Sequence, residues 1–235
     1  MRWILREKVE EFKKGVLKAG WFAEKMFKKS ISSLIERNAN LANEVISDDD
    51  LMDQMEIEIH EKAMEILGIF TPIKIELKMV TTGIRIAEIL ENIGDRSARI
   101  AKNALELSKE PPLKPLIDIP KMADITSKMV KESLRMFADA DAEKSFEICK
   151  QDAEVDELYE KVKEDLLLYM MESPKYVKRA LLLLEIANFI EEVADLATNI
   201  VEATVYMVKG DLYKCCHDDM VAFKKGGGIL FESSD

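Results

Sequence analysis

The stretch Glu91-Asn92-Ile93-Gly94-Asp95 has a counterpart 100 positions further along the chain, Glu191-Glu192-Val193-Ala194-Asp195. Each stretch places two carboxylates four residues apart, so in a helix both side chains lie on one face. The same spacing joins Asp49 to Asp53 and, 103 positions later, Asp152 to Asp156. Four acidic pairs at matched places indicate an internal repeat, each copy of which presents four carboxylates.

The repeat extends beyond these pairs. Residues 21–61 align without gaps to the segment 103 positions later, and helical composition alone would not bring the acidic residues into register. The matched identities include Lys25 with Lys128, Met26 with Met129, Lys28 with Lys131, Ser30 with Ser133, Ala39 with Ala142, Glu44 with Glu147 and Glu61 with Glu164. The two halves are therefore expected to share one architecture.

The composition predicts an all-α fold. Hydrophobic residues make up 48% of the 235 residues and charged residues 34%, whereas aromatic residues are few, at 7%. Leu, Ala, Glu, Lys and Met favour helices, and prolines between 110 and 120 favour a linker. Leu, Ile, Met and Phe at steps of three and four residues predict six helices. Their expected bounds are about 5–36, 39–67, 72–108, 119–138, 141–171 and 174–211.

Short connections make neighbouring helices antiparallel, so each half is predicted to be a three-helix bundle. We expect the first bundle over residues 1–110 and the second over 118–214, lying side by side. Residues 215–235 match neither copy, and we expect a divergent, disordered tail there.

Charge and composition exclude several classes of protein. The net charge of −11 argues against nucleic acid as the main partner, because duplex binders usually carry a basic patch. No apolar run approaches the roughly 20 residues of a membrane span, and the N-terminus lacks the apolar core of an export signal. Three cysteines predict no disulfide framework, which favours a reducing, cytoplasmic location.

The acidic pairs predict cation binding. Carboxylate oxygens suit hard cations such as Mg²⁺, Ca²⁺, Mn²⁺ and Fe³⁺, and four carboxylates on adjacent helices could hold more than one ion. The alternative is a solvated helix face, which is the usual role of a lone pair. Asn199 and Glu202 continue the second stripe as additional ligand candidates, although Arg99 and Lys102 occupy these positions in the first copy.

The sequence does not favour an enzyme. Di-iron oxidases of the ferritin type need Glu-x-x-His on two helices, and the chain has two histidines without that motif. There is no Gly-x-Ser-x-Gly, no plausible Cys–His couple and no glycine-rich dinucleotide turn. The acidic pairs are therefore interpreted as binding sites, with no catalytic residues predicted.

Two three-helix repeats, each with an acidic pair followed by Glu-x-x-x-Asp, resemble the PhoU family. The segments 91–100 and 191–202 resemble the family's third-helix motif, and the ending Val205-Tyr206-Met207-Val208-Lys209-Gly210 resembles the family's end. The resemblance covers about residues 5–212. It departs at the arginine that follows the family's glutamate, which is Asn92 in one copy and Glu192 in the other.

The resemblance implies a cytoplasmic negative regulator of phosphate uptake and phosphate-starvation signalling. Such a protein acts as an adaptor between the ATPase of the high-affinity phosphate ABC transporter and a sensor histidine kinase, in peripheral contact with the membrane complex. The resemblance also implies multinuclear metal clusters, with iron first and Mn, Mg, Ca, Zn or Ni as alternatives. The ligands would be Asp49, Asp53, Glu91 and Asp95 at one site and Asp152, Asp156, Glu191 and Asp195 at the other.

Several alternatives stay open at this point. The chain could be a helical scaffold for another transporter, or a protein that stores or oxidises metal. Surfaces rich in Lys and Glu fit a monomer and a homodimer equally.

Overall fold

The computed structural model describes residues 2–216, 219–224 and 228–230, and side-chain contacts as far as Cys215. Six long helices form most of this part of the chain. A short 3₁₀ turn, Pro174–Tyr176, precedes the last helix. The helices are α1 (Arg2–Ile35), α2 (Ala39–Phe70), α3 (Ile75–Ser108), α4 (Asp118–Asp139), α5 (Ser145–Glu172) and α6 (Val177–Lys209).

The predicted all-α fold of two similar three-helix bundles is confirmed, and local chemistry explains the break between the first two helices. Arg37 has a left-handed φ of 54°, which ends the helical run. Asn38 then caps α2, because its Oδ1 accepts hydrogen bonds from the backbone N–H of Asn40 at 3.1 Å and of Leu41 at 3.3 Å.

The break in the second half is longer than predicted. Ala140 has a φ of 50°, and Asp141 Oδ1 accepts from the backbone N–H of Glu143 at 2.9 Å. This local hydrogen bond competes with helix formation, so α5 begins at Ser145 and not at 141.

One hydrophobic core runs through both halves. Helices α1, α2 and α3 pack together, as do α4, α5 and α6, and the pairs α3–α6 and α1–α4 join the two bundles. At the α1–α4 contact, a Cβ on Gly20 would lie 2.6 Å from a methyl carbon of Leu134. The absence of a side chain at Gly20 therefore allows the two helices to approach closely.

The prediction of a disordered tail over 215–235 is wrong where the structure describes it, and residues 217–218, 225–227 and 231–235 lie outside the described residues. Strands β1 (Leu212–Cys216), β2 (Asp219–Lys224) and β3 (Gly228–Leu230) form an antiparallel sheet in the order β1-β2-β3. Strand β1 contacts α6 and β2 contacts α5. The sheet thus packs against the second bundle, and these contacts with α5 and α6 cannot be read from the tail sequence alone.

The expectation that the cysteines form no disulfide is also wrong. Cys149 on α5 and Cys215 on β1 are disulfide-bonded, with their Cα atoms 5.7 Å apart. Their separation of 66 residues hides this proximity in the sequence, because only the folding of β1 back onto the second bundle creates it. Among the helices of the described residues, none combines the length and the apolar character needed to cross a membrane.

Candidate metal centre

The predicted site residues form two acidic patches on corresponding helix pairs. The first patch lies on α2 and α3 and comprises Asp49, Asp53, Glu91 and Asp95. The second patch lies on α5 and α6 and comprises Asp152, Asp156, Glu191 and Asp195. Burial also repeats, because Asp49 and Asp152 are half-buried whereas Asp53 and Asp156 are exposed.

Small residues set the helix spacing at both patches. Gly94 immediately precedes Asp95, and a Cβ on it would lie 2.8 Å from Cγ of Met52, the residue before Asp53. In the second half the corresponding residues are Ala194 and Val155, which are both fully buried. A larger side chain on one helix thus faces a smaller one on the other, so the carboxylates beside them occupy adjacent surfaces.

The second patch is strongly self-repulsive. Desolvation, followed by the charges of Asp195 and Asp156, raises the pKa of Asp152 to about 7. Desolvation and the same two charges raise the pKa of Glu191 to about 7. The pKa of Asp195 is also raised, first by desolvation and then by Glu192 and Glu202. These shifts mean that the carboxylates of α5 and α6 are close enough to oppose one another's ionisation.

The first patch has the same tendency, moderated by basic neighbours. The pKa of Asp49 is raised by desolvation and by Asp95, whereas Lys102 lowers it. The pKa of Glu91 is raised by desolvation and by Glu56, Asp95, Asp53 and Asp49.

Two arginines contact the first patch. Oδ2 of Asp95 lies 3.0 Å from Arg96 Nη1 and 3.3 Å from Arg99 Nη2. The Nε of Arg96 also donates to Glu192 on α6, which joins the two halves of the molecule. The first patch is therefore partly neutralised by side chains of the protein itself.

The additional candidates Asn199 and Glu202 are engaged in contacts within the protein. Asn199 Nδ2 donates to the backbone oxygen of Asp195 at 2.9 Å. Glu202 is 6% exposed, and its Oε2 lies 2.5 Å from Lys214 Nζ. Its Oε1 accepts from the backbone N–H of Cys215 at 3.1 Å. Both oxygens of Glu202 thus have partners on or beside β1.

The donor set fits hard cations by its chemistry. Each patch offers carboxylates only, and their mutual repulsion would be relieved by a bound cation. The side chains as placed do not already converge, since no group of three or more His, Cys, Asp or Glu residues in the described part of the chain is arranged to hold a metal ion. Binding would therefore require carboxylate rotamers to turn towards one another.

The sequence compares closely with known proteins. A family model described as PhoU domain matches residues 16–104 and again residues 119–204. The chain belongs to the PhoU family. It is 68% identical over 100% of both chains to a Thermotoga maritima protein named phosphate-specific transport system accessory protein PhoU homolog 2. It is 33% identical to a PhoU homolog of Aquifex aeolicus named as an accessory protein of the same system, covering 91% of this chain and 96% of that one.

Solved PhoU structures share the fold. PhoU from Pseudomonas aeruginosa superposes with a TM-score of 0.84 at 29% identity, covering 87% of this chain and 99% of that one. The phosphate transport system regulatory protein PhoU from Streptococcus pneumoniae superposes with a TM-score of 0.83 at 22% identity, covering 88% and 98%. These PhoU chains are matched almost completely, whereas each superposition leaves about an eighth of the present chain unmatched.

Sequence reasoning singled out the eight acidic residues, whose role as metal ligands stays a prediction, but it missed the contacts around them. It did not anticipate the contact of Arg96 with Glu192, the contact of Lys214 with Glu202 or the Cys149–Cys215 pair, because each of these joins two different elements of the fold. Only the roles of Arg99 and Lys102 could have been anticipated from the sequence. These two residues are basic, whereas the matched residues of the second copy are Asn199 and Glu202, so the charge of the two copies already differed there.

Proposed function

We propose that this PhoU-family chain is an accessory protein of phosphate transport that lowers phosphate uptake and starvation signalling. The observation that carries the proposal is the end-to-end match at 68% identity to a phosphate-specific transport system accessory protein. In this proposal the chain acts as an adaptor, which contacts the ATPase of a phosphate ABC transporter and a sensor histidine kinase in the cytoplasm. It works by binding these partners and not by turnover.

The proposal includes metal clusters at the two acidic patches. Its support is the pairing of four carboxylates at each patch and the raised pKa values that show their mutual repulsion. Asp49, Asp53, Glu91 and Asp95 would hold the first cluster, and Asp152, Asp156, Glu191 and Asp195 the second. Bound cations would neutralise these surfaces, and oxygen donors suit iron, manganese, magnesium and calcium better than softer ions.

The metal part is tested by elemental analysis and anomalous scattering on protein purified without chelator. Asp152→Asn/Asp156→Asn is expected to lose the metal of the second patch and to keep that of the first. Glu7→Gln/Glu11→Gln is the matched control, because it removes an exposed acidic pair with the same spacing on α1. Absence of metal from the wild-type protein, both as purified and after reconstitution, would contradict this part.

The adaptor part is tested by pull-down with a purified phosphate-transporter ATPase and with a phosphate-sensing histidine kinase. Both are expected to be retained by the wild-type chain, and the ATPase of an unrelated ABC transporter is the control. Equal retention of the unrelated ATPase would favour a general helical scaffold instead. Failure of this assay would leave the metal assay valid, since the two measure different surfaces.

A further inference from the structure

Strand β1 is fastened to the second bundle at the margin of the second acidic patch. Lys214 Nζ lies 2.5 Å from Glu202 Oε2, and the backbone N–H of Cys215 donates to Glu202 Oε1 at 3.1 Å. The Cys149–Cys215 disulfide adds a covalent attachment to α5. Strand β1 is therefore attached to α6 through Glu202 and to α5 through Cys149.

Both attachment points, Cys149 and Glu202, lie near the second acidic patch. Cys149 stands one helical turn before Asp152 on α5, and Glu202 stands two turns after Asp195 on α6. The charge of Glu202 contributes to the raised pKa of Asp152 and of Asp195, so it acts on the patch electrostatically.

The first patch has no such arrangement. Lys102 stands where the second half has Glu202, and Ile46 stands where it has Cys149. The PhoU domain match ends at residue 204, before β1 begins. The attachment is thus particular to the second patch and to the segment that follows the domain.

We infer that the disulfide-anchored strand β1 holds Glu202 away from the second acidic patch, and that its release by reduction frees Glu202 to join Asp152 and Asp195 as a cation ligand. This inference rests on the proposed cation binding at that patch. In the oxidised chain the ammonium group of Lys214 neutralises Glu202, which withholds it from a cation. The ion pair alone would hold the strand weakly, because the Lys214 side chain is 50% exposed.

The redox step requires a dithiol as the reductant. A thiolate of the dithiol attacks Sγ of Cys215, which is half-buried, since Cys149 is fully buried and out of reach. A mixed disulfide forms, and Cys149 leaves as a thiolate that takes up a proton. The second thiol of the dithiol then displaces Cys215, so two electrons pass to the protein and the dithiol becomes a disulfide.

The experiment measures Mn²⁺ affinity at the second patch alone. The background variant Asp49→Asn/Asp53→Asn removes the first patch, and Cys216→Ser removes the third thiol while it keeps the Cys149–Cys215 bond. The full chain is stripped of metal and titrated with Mn²⁺, oxidised and after reduction with dithiothreitol followed by anaerobic removal of the reductant. Free Mn²⁺ is read from its electron paramagnetic resonance signal.

Reduction is expected to tighten Mn²⁺ binding by about tenfold, as one further carboxylate joins the site. Cys149→Ser should show the tighter affinity without reductant, and Glu202→Gln should abolish the gain in the reduced protein. Hydrogen exchange of the backbone amides of residues 212–216 should accelerate on reduction, which reports release of the strand without reference to metal.

Three results would overturn the inference. Equal Mn²⁺ affinity of the oxidised and reduced proteins would reject the redox release of Glu202 while the proposed metal site survives. No Mn²⁺ binding in either state would reject both the release of Glu202 and the metal site at this patch. Unchanged hydrogen exchange on reduction would also reject the release, whatever the affinity.

Discussion

The two acidic patches differ in what surrounds the same four carboxylates. Arg96, Arg99 and Lys102 moderate the first patch, whereas the corresponding positions in the second half are Leu196, Asn199 and Glu202. The second patch holds two carboxylates, Asp152 and Glu191, whose pKa is raised to about 7, first by desolvation and then by neighbouring carboxylates. The repeat thus keeps its four carboxylates in both halves, while the charges on the neighbouring turn of the helix differ between the two patches.

The strongest test of this difference is the pH dependence of stability in the presence of chelator. The folded chain keeps protons on Asp152 and Glu191 up to a pH of about 7, whereas in the unfolded chain these groups titrate near their usual pKa of about 4. The stability they contribute is fully present below pH 4 and is lost as the pH rises to 7. We expect the loss to be about 2 kcal/mol for the pair, after allowance for screening by water.

Urea unfolding at a series of pH values measures this loss. Asp152→Asn/Glu191→Gln should remove most of it, so the variant should be more stable than wild type at pH 8. The matched variant Asp49→Asn/Glu91→Gln should have a smaller effect, because basic groups moderate the first patch. Equal effects of the two pairs would show that the patches are electrostatically equivalent.

Exchanging the basic neighbours should convert the first patch into a copy of the second. In a background lacking the second patch, Arg99→Asn/Lys102→Glu is expected to raise Mn²⁺ affinity by roughly tenfold, since two nearby positive charges are removed and one negative charge is added. Calorimetric titration measures the change. Arg85→Asn, an exposed basic residue elsewhere on α3, is the control and should leave the affinity unaltered.

The two residues that set the helix spacing at the first patch should be replaceable by their counterparts from the second patch only when both are changed together. Gly94→Ala introduces the residue found at 194, and its Cβ would overlap Met52, so we expect a net loss of about 1 kcal/mol once the better helix propensity of Ala is included. Met52→Val introduces the residue found at 155 and should restore part of that loss. Urea unfolding of both single variants and the double variant tests this, and strict additivity would contradict it.

The smallest expected effect concerns the ion pair between the halves. Arg96→Leu introduces the residue found at 196 and removes the contact between α3 and Glu192. Because both side chains are partly exposed, the loss should be at most about 1 kcal/mol. Lys163→Leu, which breaks an exposed pair with Glu160 inside α5, is the control for thermal unfolding. A larger drop in melting temperature for Lys163→Leu than for Arg96→Leu would show that the Arg96–Glu192 pair does not stabilise the contact between the halves.

Most of the fold could be predicted because its signals are local. Apolar residues at helical spacing located six helices, and prolines located the linker near 110–120. The start of α5 at Ser145 was missed, since the hydrogen bond from the Glu143 N–H to Asp141 competes with the helix only in the folded turn. The strands were missed because their segment matches neither repeat, and the disulfide partner on α5 lies 66 residues away in the sequence.

The acidic residues could be predicted because their spacing is a property of one helix, repeated in register. Their neighbours across helices could not, as nothing in the spacing of Asp95 shows that Arg96 reaches Glu192, 96 residues later. The metal clusters and the partners remain predictions, with the tests given above.

The sequence by itself determined the helices, the repeat and the two sets of four carboxylates, because helical periodicity and residue type act over a few positions. Only the tertiary structure decided how the sets differ. It brought Arg96 to the interface between the halves, Lys214 to Glu202 and Cys215 to Cys149. Coulombic, hydrogen-bond and disulfide contacts depend on distance in space, and the fold makes neighbours of groups that the chain keeps far apart.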